Sequence, residues 1–228
     1  MRTIAVIGLG HYGSTVARAL TERGVQVVAV DQSKDRVEEI KEKVAYAVTL
    51  DSTDRSALQA AAVHHVDVAV VCIGDNVEAS LLTTLQLKKL GIGRIWARAI
   101  NPLQHEILAA LGVEEIMDLE EQMGLATARS LSSANIGRFI PITPGHSIAE
   151  VKVPQSLLEM RLRDLDLRGR YNVNVVGIKT LVPVVSESGD RTFQESFDEV
   201  PSPDLRLAED MILLVAGSDR NIDRFSRG

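Results

Sequence analysis

The chain has 228 residues, of which 45% are hydrophobic and 25% are charged, and this composition excludes a disordered or fibrous protein. Its 31 acidic and 25 basic side chains leave a net charge of −6, which disfavours nucleic acid or an anionic lipid as the main partner. The single cysteine, Cys72, cannot form an internal disulfide, and no apolar run approaches the roughly 18 residues of a membrane span. These features predict a protein of a reducing compartment, the cytoplasm.

The first half of the chain alternates short apolar runs with longer helical patterns. Such alternation is typical of βαβ units, and the near-continuous apolar runs indicate parallel strands that are buried on both faces. The predicted strands are residues 3–7, 25–30, 45–49, 66–73, 94–97 and 115–118, and the predicted helices are residues 14–23, 34–43, 55–62, 77–90 and 103–111. Six strands joined by right-handed crossovers fit a Rossmann-like doubly wound α/β sheet of order 3-2-1-4-5-6.

The pattern of the sequence changes after a predicted helix at residues 120–133. Beyond that helix, prolines and glycines separate short strand-like segments. The predicted elements are strands at residues 148–153, 173–179, 182–186 and 211–216, a short helix at 162–167 and a turn at 188–190. They indicate a smaller α+β domain that begins near Phe139. We therefore divide the chain into residues 1–135 and residues 136–228.

A glycine motif, G-x-G-x-x-G, joins the first predicted strand to the first predicted helix. Gly8 permits a tight turn, Gly10 lets the backbone approach a pyrophosphate, and Gly13 packs the helix against the strand. The unpaired N–H groups and the dipole of the helix start favour anionic oxygens. The motif therefore predicts a dinucleotide phosphate site, and a glycine turn without a ligand is the alternative.

An aspartate, Asp31, ends the second predicted strand, where a carboxylate can accept hydrogen bonds from both ribose hydroxyls. The same negative charge would repel a 2′-phosphate, which disfavours NADP. We expect this carboxylate to serve the ribose rather than the protein core. Replacing Asp31 with alanine should then abolish nucleotide binding and leave the fold intact.

Further polar side chains lie at the predicted carboxyl ends of strands three, four and five, the edge where open α/β sheets bind ligands. The segment Asp51-Ser52-Thr53-Asp54 could reach an adenine edge, and Asp75 with Asn76 could line the ribose and phosphate. Arg98 could neutralise phosphate. A local alternative exists for each: a turn or a helix N-cap for the first two groups, and a solvated edge charge for Arg98.

A catalytic constellation is not apparent in the sequence. No acid or base stands out for proton transfer, and the five histidines show no metal-ligand spacing. An NAD-dependent oxidoreductase with the same glycine fingerprint is therefore the alternative function rather than the preferred one. Asp118, Glu120 and Glu121 cluster at a predicted helix start, where they either complement the helix dipole or bind a divalent cation between subunits.

Several motifs together resemble a known family, the cytosolic regulatory subunits of Trk/Ktr-type potassium uptake systems. They are GLGHYG, Asp31, the DSTD segment, IGDN at residues 73–76 and LEEQMG at residues 119–124. Residues 163–168, followed by residues 173–178, are similar to the opening of the TrkA-C module. The resemblance covers the whole chain and implies an N-terminal RCK domain, also called TrkA-N, followed by a TrkA-C domain.

The resemblance implies a nucleotide sensor without enzymatic activity. In this family ATP, ADP or NAD(H) occupies the glycine crevice of a homodimer, and dimers form an octameric ring that controls a membrane potassium-translocating subunit. The nucleotide-site residues implied are Gly8, Gly10, His11, Tyr12, Gly13, Asp31, Gln32, Asp51, Ser52, Thr53, Ile73, Gly74, Asp75, Asn76 and Arg98. Glu120 resembles the ligand of a divalent cation between subunits.

One residue departs from the family pattern. ATP-responsive members carry an arginine that contacts the terminal phosphate, and this chain has His11 at that position. A neutral imidazole is a poorer phosphate partner than a guanidinium. We therefore expect weaker discrimination between ATP and ADP, or a preference for NAD(H) or AMP.

Overall fold

The structure, a computed structural model, describes residues 2–185 and 191–227. The chain divides into two compact units, Met1–Glu121 and Gln122–Gly228. The division falls inside a helix, earlier than the boundary predicted after residue 135. The reason is that the later part of this helix belongs to the second unit, where Ala126 is buried in the core and Arg129 forms ion pairs with Asp219 and Asp223.

The first unit is a six-stranded parallel sheet of order β3-β2-β1-β4-β5-β6. Its strands are β1 Thr3–Ile7, β2 Gln26–Asp31, β3 Tyr46–Thr49, β4 Val68–Val71, β5 Ile95–Arg98 and β6 Glu115–Met117. Its helices are α1 His11–Glu22, α2 Lys34–Ile40, α3 Arg55–Ala60, α4 Val77–Lys89 and α5 Pro102–Ala110, and α6 Leu119–Ser132 continues into the second unit. The predicted doubly wound α/β sheet and its strand order are confirmed.

Two hydrophobic cores cover the two faces of this sheet. In β1, Ala5 and Ile7 belong to one core, and Ile4 and Val6 belong to the other. Successive side chains of a strand point to opposite faces, so a strand with helices on both sides must be apolar throughout. The sheet therefore places all its strand ends, and the loops that follow them, on a rigid support.

The second unit is a five-stranded antiparallel sheet of order β10-β9-β11-β8-β7. Its strands are β7 Ile136–Thr143, β8 His146–Lys152, β9 Val173–Val185, β10 Arg191–Asp198 and β11 Met211–Ser218. Its short helices are α7 Leu167–Tyr171 and α8 Asp219–Ser226, with 3-10 turns at Gln155–Leu157 and Leu162–Leu165. The α+β class predicted for this part of the chain is confirmed.

Several details of the second unit differ from the predicted elements. The strands predicted at residues 173–179 and 182–186 are one strand, β9, which tolerates Pro183 because its residues beyond Thr180 pair with β10 alone. The helix predicted at 162–167 is a 3-10 turn and then α7, with Asp166 between them at φ 44°. Strands β7 and β10 and helix α8 were not predicted. Ser186 and the predicted turn at 188–190 lie outside the described residues.

Helix α8 closes the core of the second unit. Ile222 and Phe225 on this helix are fully buried, and the rings of Phe225 and Tyr171 meet edge to face with centroids 5.2 Å apart.

Among the described residues, no helix combines the length and the apolar composition that crossing a membrane requires.

Candidate functional site

A cavity of about 220 Å³ lies in the first unit, where the carboxyl ends of the central strands meet. Its walls contain every predicted nucleotide-site residue except Gly13. The lining residues are Ile7, Gly8, Gly10, His11, Tyr12, Asp31, Gln32, Arg36, Asp51, Ser52, Thr53, Cys72, Ile73, Gly74, Asp75, Asn76, Ala79 and Arg98. The strand order 3-2-1-4-5 brings these distant segments together, because parallel strands end at one edge of the sheet.

The glycine loop forms one wall of the cavity. Gly8 has φ 93°, a left-handed conformation that glycine adopts without strain, and its N–H donates to the Val30 carbonyl at 2.8 Å. Gly13 is buried beneath the loop, where an added Cβ would overlap the Gly8 carbonyl oxygen. Around Gly10, in contrast, no described atom lies within 4 Å of the position that a Cβ would take. The loop is therefore closely packed on the side of Gly13 and open on the side of Gly10.

Helix α1 begins at this loop with its N-terminus free for a ligand. Gly10 is the N-cap residue and has no side chain to cap the helix, and among the described residues no other side chain takes that role. The first N–H groups of a helix lack intrahelical partners and carry partial positive charge. This arrangement suits the oxygens of a phosphate group.

The Asp31 carboxylate has a structural role that the sequence did not reveal. The residue is only 5% exposed, and Oδ2 accepts a 2.6 Å hydrogen bond from Leu9 N while Oδ1 accepts a 2.8 Å bond from Ser33 N. Arg36 Nη1 lies 3.5 Å from Oδ2. Asp31 therefore fixes the glycine loop to the end of β2, a structural role that the expectation of a ribose contact did not include. Its contact with a ribose stays a prediction.

Replacing Asp31 with alanine should consequently lower the free energy of unfolding even without a ligand. Two backbone N–H groups lose their acceptor, which costs about 2 kcal/mol. Urea denaturation of the nucleotide-free protein measures this loss. Asp35→Ala is the matched control, because this aspartate is exposed on α2. Equal stability of the two variants would show that the Asp31 hydrogen bonds contribute little.

The segment after β3 holds itself in a compact turn. Asp51 Oδ1 accepts hydrogen bonds from Thr53 N at 2.9 Å and from Thr53 Oγ1 at 2.7 Å, and these bonds lower the pKa of Asp51. Ser52 Oγ lies 2.7 Å from Thr83 Oγ1 in a buried contact with α4. Asp54, the next residue, caps α3. Capping therefore accounts for Asp54, and Asp51, Ser52 and Thr53 line the cavity as predicted.

The segment after β4 combines the two interpretations proposed for it. Asn76 Oδ1 accepts a hydrogen bond from Ala79 N at 2.9 Å, so Asn76 is the N-cap of α4, as the local alternative predicted. Asn76 and Asp75 also line the cavity. The capping bond fixes Asn76 at the cavity wall.

Arg98 is not the solvated edge charge that was the alternative interpretation of this residue. Its side chain is 22% exposed and its guanidinium lies against Gly74 in the cavity wall. Arg98 Nη2 donates to Glu120 Oε1, and this hydrogen bond lowers the pKa of Glu120. Among the described residues, the buried Arg98 Nε has no hydrogen-bond partner.

Four lining residues were not predicted from the sequence: Ile7, Arg36, Cys72 and Ala79. Arg36 lies in the first turn of α2, five residues after Asp31 at the end of β2. Its place just beyond the carboxyl end of a strand is the signal that could have identified it. Cys72 is buried as expected, and burial raises the pKa of its thiol to about 12. The thiol is therefore protonated at neutral pH and is a weak nucleophile.

Two of the three acidic residues near the start of α6, Asp118 and Glu120, are paired within the first unit. Glu120 contacts Arg98, and Asp118 Oδ2 lies 2.8 Å from His105 Nδ1. Within residues 2–185 and 191–227, no group of three or more His, Cys, Asp or Glu side chains could hold a metal ion.

Comparison with protein families and curated proteins identifies relatives along the whole chain. The TrkA-N domain family matches residues 4–118, and the TrkA-C domain family matches residues 146–227. The Ktr system potassium uptake protein C of Bacillus subtilis is 34% identical over 226 residues, which are 99% of this chain and 96% of that protein. The Ktr system potassium uptake protein A of the same organism is 31% identical over 98% of this chain and 95% of its own.

Solved structures share the fold at lower identity. The GsuK channel bound to NAD aligns with a TM-score of 0.65 and 19% identity, over 98% of this chain. The chain spans 38% of the length of that channel. At this identity the likeness establishes the RCK-type fold alone.

Proposed function

The chain belongs to the Trk/Ktr family of potassium uptake regulatory proteins, with a TrkA-N domain followed by a TrkA-C domain, and on that premise we propose a nucleotide-sensing role for it. Its glycine crevice binds an adenine nucleotide, ATP, ADP, AMP or NAD(H). Occupancy of the crevice controls a membrane potassium-translocating subunit, and the chain makes and breaks no covalent bond.

The observation that carries this proposal is the cavity at the start of α1. It combines an uncapped helix N-terminus, open space above Gly10 and the guanidinium of Arg98, three features that suit a diphosphate. Asp31 and Asp51 supply acceptors at the other end, where a ribose and an adenine would lie. The GsuK channel, which has the same fold, binds NAD, and NAD(H) is therefore one of the candidates.

The proposed assembly rests on the family resemblance. We propose that the chain works in the cytoplasm as a homodimer within an octameric ring, attached to the membrane through its potassium-translocating partner. Ligand exchange then shifts the populations of two ring conformations according to the ligand's affinity for each. A divalent cation bound between subunits would take Glu120 as one of its ligands.

Potassium flux tests the proposed function directly. The chain and its membrane partner would be purified together, reconstituted in lipid vesicles and assayed with and without ADP, ATP and NADH. We expect the flux to depend on the chain and to differ between nucleotides. A flux that is the same with and without the chain, at every nucleotide, would refute the regulatory role.

His11 should set the preference among nucleotides. It begins α1 at the cavity wall, where the family resemblance places an arginine in ATP-responsive members. We expect the affinities for ATP and ADP to differ by less than about tenfold, because a neutral imidazole interacts weakly with a terminal phosphate. Isothermal titration calorimetry measures both affinities. His11→Arg is the companion variant and should bind ATP more tightly than ADP. If the unmodified chain binds ATP about a hundredfold more tightly than ADP, the expectation is contradicted.

A further inference from the structure

Arg98 has unused hydrogen-bonding capacity in the wall of the nucleotide cavity. It ends β5, lies against Gly74, and carries five N–H donors in its guanidinium group. Among the described residues, its buried Nε has no partner. Buried donors of this kind are normally satisfied, so the Nε–H is a donor that a ligand in the cavity can satisfy.

The one carboxylate that contacts this guanidinium among the described residues belongs to Glu120. Glu120 Oε1 accepts from Arg98 Nη2, and the Glu120 side chain is 50% exposed in the first turn of α6. The pair thus joins a mostly buried cation to an anion that solvent reaches easily. An exposed carboxylate with a single contact is weakly held, because solvent screens the attraction.

A phosphate group is a stronger partner for the same guanidinium. It carries more oxygens and more charge than a carboxylate, and it can accept two parallel N–H bonds from an arginine. In the cavity it would also lie near the free N–H groups of α1. Once a nucleotide is present, its phosphate therefore binds the Arg98 guanidinium more strongly than Glu120 does.

We propose that the Glu120 carboxylate pairs with the Arg98 guanidinium in the ligand-free chain, where it takes the place of a phosphate group. Nucleotide binding then displaces Glu120 from Arg98. This inference rests on the proposed nucleotide site and adds the residue that competes with the ligand there. Glu120 lies in α6, the helix in which the chain passes from the first unit to the second. Release of its carboxylate is thus a local change that reports phosphate occupancy at the start of that helix.

Removing the Glu120 charge tests the competition. Calorimetry would compare the full-length chain with Glu120→Gln for ADP and for adenosine, in buffer with EDTA to exclude divalent cations. Glu120→Gln should bind ADP about tenfold more tightly, because the phosphate no longer displaces a carboxylate. Its affinity for adenosine, which has no phosphate, should not change.

Two further variants separate this effect from a general change of charge. Glu121→Gln removes the same charge from the neighbouring position of α6, which makes no ion pair among the described residues, and should bind ADP as the unmodified chain does. Arg98→Gln should weaken ADP binding, and adding Glu120→Gln to it should give no gain. Melting without ligand would verify that each variant is folded.

The results distinguish this inference from the proposed function. If the unmodified chain binds ADP and Glu120→Gln binds it equally well or more weakly, the competition does not exist and the nucleotide site stands. A gain of equal size for adenosine would also overturn the competition. If the unmodified chain binds no adenine nucleotide, both proposals fail.

Discussion

Replacing Gly13 with alanine should lower the free energy of unfolding by about 3 kcal/mol, the upper range for overpacking a closely packed site. The added methyl group would overlap the carbonyl oxygen of Gly8, which is backbone and cannot rotate away, and would also lie 3.1 Å from Cys72 Cβ. Either the glycine loop or helix α1 must shift to accommodate it. Urea denaturation of the nucleotide-free chain measures the loss.

The control for this variant is Gly93→Ala. An added Cβ at Gly93 would meet no described atom within 4 Å, and the residue is exposed. This substitution should change stability by less than about 0.5 kcal/mol. If Gly13→Ala is as stable as Gly93→Ala, the helix does not approach the loop as closely as the structure indicates.

Replacing Gly10 with valine should abolish nucleotide binding and leave the free energy of unfolding unchanged, whereas Gly13→Ala lowers the free energy of unfolding. Gly10 has φ −61° and ψ −174°, which any residue adopts, and an added Cβ would point into open space. That space is where a pyrophosphate would approach the helix start. Overlap with the ligand costs about 3 kcal/mol, so we expect affinity to fall at least a hundredfold.

Calorimetry with ADP and thermal melting without ligand measure the two halves of this expectation. Gly10→Ala is the graded companion and should weaken binding less than valine does, because its side chain is smaller. Tight ADP binding by Gly10→Val would show that the glycine loop is a turn and no phosphate site. Gly93→Ala should bind ADP as the unmodified chain does.

The sequence sufficed to predict the Rossmann-like sheet and most of the cavity wall. The central strands β1, β2 and β4 place apolar side chains on both faces of the sheet, and right-handed crossovers leave few ways to order the six strands. Once the order was predicted, the strand ends that carry Asp31, Thr53 and Asn76 had to meet at one edge. All three line the cavity.

Contacts between distant segments could not be predicted in the same way. The Asp31 carboxylate binds Leu9 N, 22 residues earlier in the chain, and Arg98 pairs with Glu120, 22 residues later. No periodicity relates such positions, because loop conformations bring them together. These two contacts are also the ones that change the expected effects of substitution.

The missed elements of the second unit have physical causes as well. Strand β10 lies at the sheet edge with its described side chains exposed, so its sequence lacks the alternation that identifies a strand. Register shifts interrupt β7, which also contains Pro141. Helix α8 did carry a signal, because Ser218 caps it and Ile222 and Phe225 lie three residues apart on its buried face.

The central claim is that an adenine nucleotide rests against the start of α1 and is not consumed. Thermal melting of the purified full-length chain with ATP, ADP, AMP and NADH, followed by analysis of each nucleotide for turnover, tests it most directly. A ligand at 100 times its Kd should add about 2.7 kcal/mol to the free energy of unfolding. We predict a clear rise of Tm with at least one of these nucleotides, which is recovered unchanged; no rise with any of them, or steady conversion of one of them, would contradict the claim.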